Sequence, residues 1–202
     1  MTPPLLWASR LAAGFLLGSL PFGLWWGKLF RGIDVREHGS RNLGATNVLR
    51  VLGPIHGIAV LLLDAGKGAA AVLLALRAAP DTALPLVAGL CAILGHLFSP
   101  WVRFRGGKGV ATGLGVWAVI APPATALALG VWGVTLALVR RVSAASLLAA
   151  LALPIAVFLL GPETGRWLRT VFAAAVCLLV WIRHRGNIRR LLRQEEPPLW
   201  GR

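Results

Sequence analysis

Long apolar stretches, parted by short clusters of charge, Gly and Pro, run the length of the chain. They extend approximately over Leu5 to Phe30, Pro54 to Leu76, Thr82 to Trp101, Val110 to Ala121, Ala124 to Val139, Ala144 to Leu160 and Leu168 to Ile182. Most approach the roughly 20 residues that a helix needs to cross the hydrocarbon of a bilayer. The fourth and fifth are shorter and are separated only by Pro122-Pro123. Fused into one kinked helix they would reach about 45 Å at 1.5 Å per residue, more than one crossing needs. Two short helices joined by a tight turn are therefore expected, since Pro ends or bends helices. The pattern predicts an all-α, polytopic transmembrane helical bundle of about seven spans, a single integral-membrane domain over residues 1–202.

Composition supports the membrane reading and adds an orientation. Of 202 residues 57% are hydrophobic, with mean hydropathy +0.74, yet 21 Lys and Arg stand against 7 Asp and Glu for a net charge of +14. A soluble domain of this length buries only about 70% of the surface of its unfolded chain, and so much apolar area would aggregate. A disordered nucleic-acid-binding arm is excluded as well, because only 14% of residues are charged. Alternating sides along seven spans collects 16 of the 21 cations on one face: Lys28, Arg31, Arg36, Arg41, Arg50, Arg103, Arg105, Lys108, Arg140, Arg141, Arg183, Arg185, Arg189, Arg190, Arg193 and Arg202. By the positive-inside rule that face is cytoplasmic, the N-terminus lies outside and the C-terminus inside. Six spans would put Arg140-Arg141 or the C-terminal cluster on the wrong side. Trp7, Trp25, Trp26, Trp101, Trp167 and Trp181 fall near span ends, where indole rings favour the interface. The first stretch contains Arg10 and lacks a small-residue cleavage site, so it reads as a retained span. Cys91 and Cys177 lie inside apolar stretches and form neither a disulfide framework nor a CxxC site.

Most inner-face Arg need only topology to explain them. Their neighbours need more. The first inner segment, REHGSRNLGATNVLRVLG (36–53), gathers His38, Ser40, Asn42, Gly44, Thr46, Asn47 and Arg50. It is far longer than the roughly 2 to 8 residues that join helices in bundles, and it is rich in side chains that hydrogen-bond anions. The second, FRGGKGVATG (104–113), sets Gly106, Gly107, Lys108 and Gly109 before a helix. Close backbone approach, unpaired amides and a helix dipole make such a turn an anion site. It is not a Walker A loop, since Val102 and Gly109 stand where Gly and Ser/Thr are required. The third, RHRGNIRRLLRQEE (183–196), carries His184 and Asn187, three apart and on one face if the helix continues. A basic amphipathic tail lying on anionic lipid is the plain alternative there.

Asp64 and Lys67 lie three apart inside the second stretch, either as a structural ion pair or as part of an ion pathway. A pump would need a longer chain of titratable groups. The four His form no HExxH pair, no GxSxG elbow exists, and no His is followed at five residues by Asp. No metal and no cofactor are expected.

Taken together, the segments GSLPFGLWWGKLFRGIDVREHGS, NLGATNVLR, LLLDAGKG, GHLFSPWVRFRGGKGVAT, RRVSAASL and RHRGNIRRLLRQEE resemble the acyl-phosphate-dependent glycerol-3-phosphate acyltransferases of bacterial inner membranes, the PlsY family. The resemblance covers nearly the whole chain. It implies transfer of an acyl group from acyl phosphate to the 1-hydroxyl of sn-glycerol 3-phosphate, giving lysophosphatidate and phosphate on the cytoplasmic face. Membrane lipid and a soluble enzyme that forms the acyl phosphate are the implied partners, and nucleic acid is not one. By the same resemblance Ser40, Arg50, Lys108, His184 and Asn187 are the catalytic positions. Asn42, Gly44, Thr46, Asn47, His96, Gly106, Gly107 and Gly109 are substrate-binding. Two positions depart from the family: Arg41 where Gly is usual, and Gly186 in place of an acidic residue between His and Asn.

Two non-enzymatic readings stand beside it. A small-anion transporter would normally show inverted repeats, and none is visible. A lipid-binding scaffold leaves the Ser, Asn and His positions without a purpose.

Overall fold

The computed structural model describes residues 3–80 and 83–200, so Arg202 and the Thr82 start of the third apolar stretch lie outside the described residues. The described residues form helices and no strands. In chain order these are α1 (Pro3–Ser19), α2 (Phe22–Arg31), α3 (Ala45–Leu52), α4 (Pro54–Leu76), α5 (Leu84–Leu97), a 3-10 turn (Pro100–Val102), α6 (Val110–Ile120), α7 (Pro122–Val139), α8 (Val142–Leu160), α9 (Arg166–Arg183) and α10 (Arg185–Leu192). By length and composition five apolar runs can cross a membrane: Pro4–Arg31, Pro54–Leu76, Leu84–Val102, Pro122–Val139 and Val142–Leu160. The bent pair α9–α10 makes a sixth, and α6 is a shorter apolar helix.

Three boundaries differ from the sequence pattern, each for a local reason. The first apolar stretch is broken at Leu20-Pro21, because Pro lacks the amide proton that the helix ladder needs and its ring disfavours helical geometry in the preceding residue. Half of the first inner segment is helical: α3 turns the buried side chains of Val48 and Leu52 onto Val35, Leu43, Val60 and Val102. α9 does not continue through His184; α10 leaves at 63° to it. The expected break at Pro122-Pro123 is present, with α6 ending at Ile120 and α7 opening on Pro122, a first-turn position that Pro tolerates.

The chain divides into two compact units, Met1–Ile120 and Ala121–Arg202. In the first, α4 is the central element and packs against α1, α3, α5 and α6, while α1 lies along α5. Gly drives these contacts: a Cβ on Gly18 would collide with the backbone of Ala92 on α5, and one on Gly115 with the Ala65 carbonyl on α4. Such small-residue seams let membrane helices gain van der Waals contact where no hydrophobic drive exists between them. In the second unit α8 packs between α7 and α9, and α10 folds back on α8 and α9. Leu29, Ile55, Leu138 and Leu192 are all more than three-quarters exposed, a distribution suited to lipid and not to water.

Candidate active site

The first inner segment is organised from within by Asn47. Its side chain is buried, and Nδ2 donates to the carbonyls of Val35 (2.8 Å) and His38 (3.2 Å). Its Oδ1 accepts the Ser40 amide at 2.7 Å. Both amide protons and the carbonyl oxygen are thereby engaged by the loop's own backbone. Asn47, named above as a substrate-binding position, shapes the turn that presents Ser40, which is exposed. Asn42 acts similarly, with Oδ1 accepting the Gly44 amide at 2.9 Å just before α3. Thr46 is half-buried in the first turn of α3 and Arg50 half-buried in its last. Arg41 has φ 59°, a left-handed conformation. The Arg is held in the geometry that a Gly would adopt freely.

Charge in this segment is partly neutralised locally. The Arg36 guanidinium grips Asp34 through Nη2 to Oδ2 at 2.6 Å and Nε to Oδ1 at 2.9 Å. Hydrogen bonding from the Arg36 side chain holds the Asp34 carboxyl down at about 2. Asp34 therefore stays ionised and tied to Arg36.

The second segment is a turn whose glycines are required by contact. The Gly106 amide donates to the Leu97 carbonyl and the Gly107 amide to the His96 carbonyl, each at 3.1 Å. A Cβ on Gly106 would strike the His96 carbonyl, and one on Gly107 would strike the His96 ring at Nε2. Gly109 has φ 82° and leads directly into α6, with half-buried Lys108 just before it. The turn thus sets a cation at the start of α6, and a helix start beside a cation is suited to an anion.

The first and second segments meet at one cleft. Ser19, Leu20, Pro21, Phe22, Gly23, Leu43, Asp64, His96, Ser99 and Gly107 line this small cleft together. Leu43 belongs to the first segment and Gly107 to the second.

The third segment lies in the second compact unit. His184 is buried at the bend between α9 and α10, and its Nδ1 is 2.8 Å from the Val180 carbonyl. A carbonyl only accepts, so Nδ1 carries the proton and the neutral ring's lone pair belongs to Nε2. Asn187 is buried on α10, so the two side chains turn inward without sharing a continuous helix. Glu196, which no motif reading singled out, is the partner of Asn187. Its Oε1 accepts Asn187 Nδ2 at 2.6 Å and Ser143 Oγ at 2.8 Å, and its Oε2 accepts Arg190 Nε at 2.6 Å. The Glu196 carbonyl accepts Arg141 Nε at 2.9 Å. Burial raises the Glu196 carboxyl, but the bonds from Asn187, Ser143 and Arg190 outweigh it and leave it below its ordinary value. The available signal was a pair of acidic residues, Glu195-Glu196, ending a strongly basic segment.

No cluster of three or more His, Cys, Asp or Glu suited to a metal occurs among the described residues.

A family model described as glycerol-3-phosphate acyltransferase matches residues 8–194. A protein of that name from Jannaschia sp. (strain CCS1) is 44% identical over 202 residues, covering 97% of each chain. Another, from Synechococcus sp. (strain JA-3-3Ab), is 46% identical over 194 residues, covering 95% of this chain and 94% of its own. Among solved structures, PlsY, an integral membrane glycerol 3-phosphate acyltransferase in its glycerol 3-phosphate form, is 36% identical with a TM-score of 0.89, covering 96% of both chains. Its lysophosphatidic acid form gives a TM-score of 0.85, covering 95% of this chain and 94% of that one. A polytopic helical membrane protein with these motifs, matched in sequence and structure over nearly its whole length, belongs to the glycerol-3-phosphate acyltransferase family, of the PlsY type.

Proposed function

We propose that this protein transfers an acyl group from a long-chain acyl phosphate to the 1-hydroxyl of sn-glycerol 3-phosphate, releasing phosphate and 1-acyl-sn-glycerol 3-phosphate. This is the first acylation of phospholipid synthesis. The observation that carries the reading is the likeness to a neighbour solved with acceptor and with product, at a TM-score of 0.89 over 96% of this chain. The family match across residues 8–194 spans both compact units, which supports one acyltransferase domain. The excess of cations on one face supports an N-terminus outside, seven spans and a site on the cytoplasmic face of a bacterial inner membrane.

The chemistry follows from the charges. Donor and acceptor are both phosphate-bearing anions, and holding them together requires cations and aligned amides. Arg50 and Lys108 supply the cations and the first turn of α6, which follows Gly109, the amides, while the Gly106 and Gly107 amides hold the turn to the end of α5; proximity then accounts for much of the acceleration. An acyl phosphate is a mixed anhydride and already activated, so a covalent acyl-enzyme is not needed. The acceptor hydroxyl oxygen adds to the acyl carbon, giving a tetrahedral oxyanion that preorganised donors stabilise. The bond from acyl carbon to phosphate oxygen then breaks, phosphate leaves with the electron pair, and the hydroxyl proton ends on phosphate. Ser40 acts as a hydrogen-bond donor to substrate phosphate and not as a nucleophile. His184, its Nδ1 proton held by the Val180 carbonyl, orients substrate phosphate by donating from Nε2 once the ring takes a second proton, and Asn187 assists it. A soluble enzyme that makes acyl phosphate supplies the donor.

The test is a donor comparison with purified protein, measuring acylated glycerol 3-phosphate. Acyl phosphate is expected to support the reaction, whereas acyl-CoA and acyl-carrier protein are not. Equal rates with a thioester donor would refute the donor assignment.

A further inference from the structure

Asp64 and Lys67 are buried on α4 at the depth of a membrane span and take no part in the mechanism above. The Lys67 ammonium forms an ion pair with Asp64 Oδ1 at 2.7 Å and lies within hydrogen-bond distance of the Leu20 carbonyl at 2.8 Å and His96 Nδ1 at 2.9 Å. It also lies 5.5 Å from the Phe22 ring centroid. Each contact reaches a different element. Leu20 is the break between α1 and α2, where Gly23 packs on the Leu43 carbonyl of the first inner segment. His96 is the end of α5, whose ring abuts Gly107 and whose carbonyl accepts the Gly107 amide. Donation from the ammonium to Nδ1 places the His96 proton on Nε2, toward Gly107. The far end of the glycine-rich turn is fixed to the same stretch of α4, where Gly68 packs against the Thr112 carbonyl.

We propose that the Asp64–Lys67 pair is a positioning device for catalysis: through the Leu20 break and through His96 it sets the separation of the first inner segment from the glycine-rich turn. The inference rests on the reading that this turn binds substrate phosphate. Asp64 forms part of the wall of the cleft between the two segments, so the ion pair acts where the two loops face each other. His96, expected to bind substrate, is the connecting piece. An isolated ion pair could be replaced by apolar residues of similar volume without harm to stability. What such a replacement would remove here is the register of two anion-binding loops.

The test is the double variant Asp64→Leu/Lys67→Met, which leaves no unpaired buried charge. Its melting temperature is expected to stay near that of the wild type. The KM for glycerol 3-phosphate is expected to rise about tenfold or more while kcat changes by less than about threefold, the pattern of lost ground-state positioning. An unchanged KM overturns the proposal, as does a fall in melting temperature without a change in KM. A second arm does not depend on that variant folding. Gly107→Ala collides with the His96 ring and is expected to weaken glycerol 3-phosphate binding. Adding His96→Asn keeps an acceptor near Lys67 and removes the ring's outer edge, and it is expected to recover at least half of the lost affinity. No recovery overturns the coupling through His96. A wild-type protein inactive with glycerol 3-phosphate would instead refute the function itself.

Discussion

At the scale of single residues, Arg41 and Asn47 make separate contributions to the first inner segment. The left-handed φ of Arg41 costs an L-residue about 1–2 kcal/mol. Gly would remove that cost and lose about 0.5–1 kcal/mol to the entropy of a freer unfolded chain. Arg41→Gly is therefore expected to stabilise the protein by roughly 0.5–1 kcal/mol, read from thermal unfolding in detergent. Asn47 carries three hydrogen bonds at a buried position. Asn47→Ala leaves the Val35 carbonyl and the Ser40 amide to find other partners, and is expected to cost about 2–4 kcal/mol. It should abolish transfer by displacing Ser40, without touching substrate itself. Arg41 was legible in the sequence as a departure from a family pattern. The role of Asn47 was not, because polar residues that bind a ligand and polar residues that bind their own loop are the same types. Only the positions of Val35, His38 and Ser40 around the amide distinguish them.

At the scale of elements, hydropathy marked out the apolar helices well, and Pro54–Leu76 coincides with α4. The amphipathic α3 and the α9–α10 bend were hidden for opposite reasons. α3 lies in a stretch whose Gly and Asn look like loop. α9 runs into α10 through His184 and Gly186 with no Pro to announce a break. The clamp that holds α10 was also beyond reach, because it joins Glu196 to Ser143 on α8, 53 positions away in sequence. Its pH behaviour follows from its sign. The Glu196 carboxyl is lowered from 4.5 on folding, so its stabilisation is complete above the unfolded value and is lost as pH falls through the folded one. Thermal stability of the wild type is expected to fall with acid below about pH 4.5, and Glu196→Gln to lose most of that dependence. A variant with the same acid limb as the wild type would remove the clamp from the account. Asp34, held at about 2 by Arg36, titrates lower and adds a separate step.

At the scale of the molecule, the positive-inside rule accounts for most of the excess of basic residues if they face the cytoplasm. Those that sit among Ser, Asn, Gly and His at Arg50 and Lys108 are the ones assigned to substrate. The orientation is testable with single cysteines in a background lacking Cys91 and Cys177. A cysteine at Glu195 or Arg105 is expected to react with an impermeant maleimide only in inverted membrane vesicles, and one at Thr164 only in intact cells. The reverse pattern would place the anion loops on the wrong side for a cytoplasmic acyl donor. The most direct measurement of the central claim is phosphate release from acyl phosphate by purified protein, followed in time with and without glycerol 3-phosphate. No release is expected until acceptor is added, and then one phosphate for each acylated glycerol 3-phosphate. A burst equal to the enzyme concentration without acceptor, or acylated product without phosphate release, would contradict direct transfer from acyl phosphate.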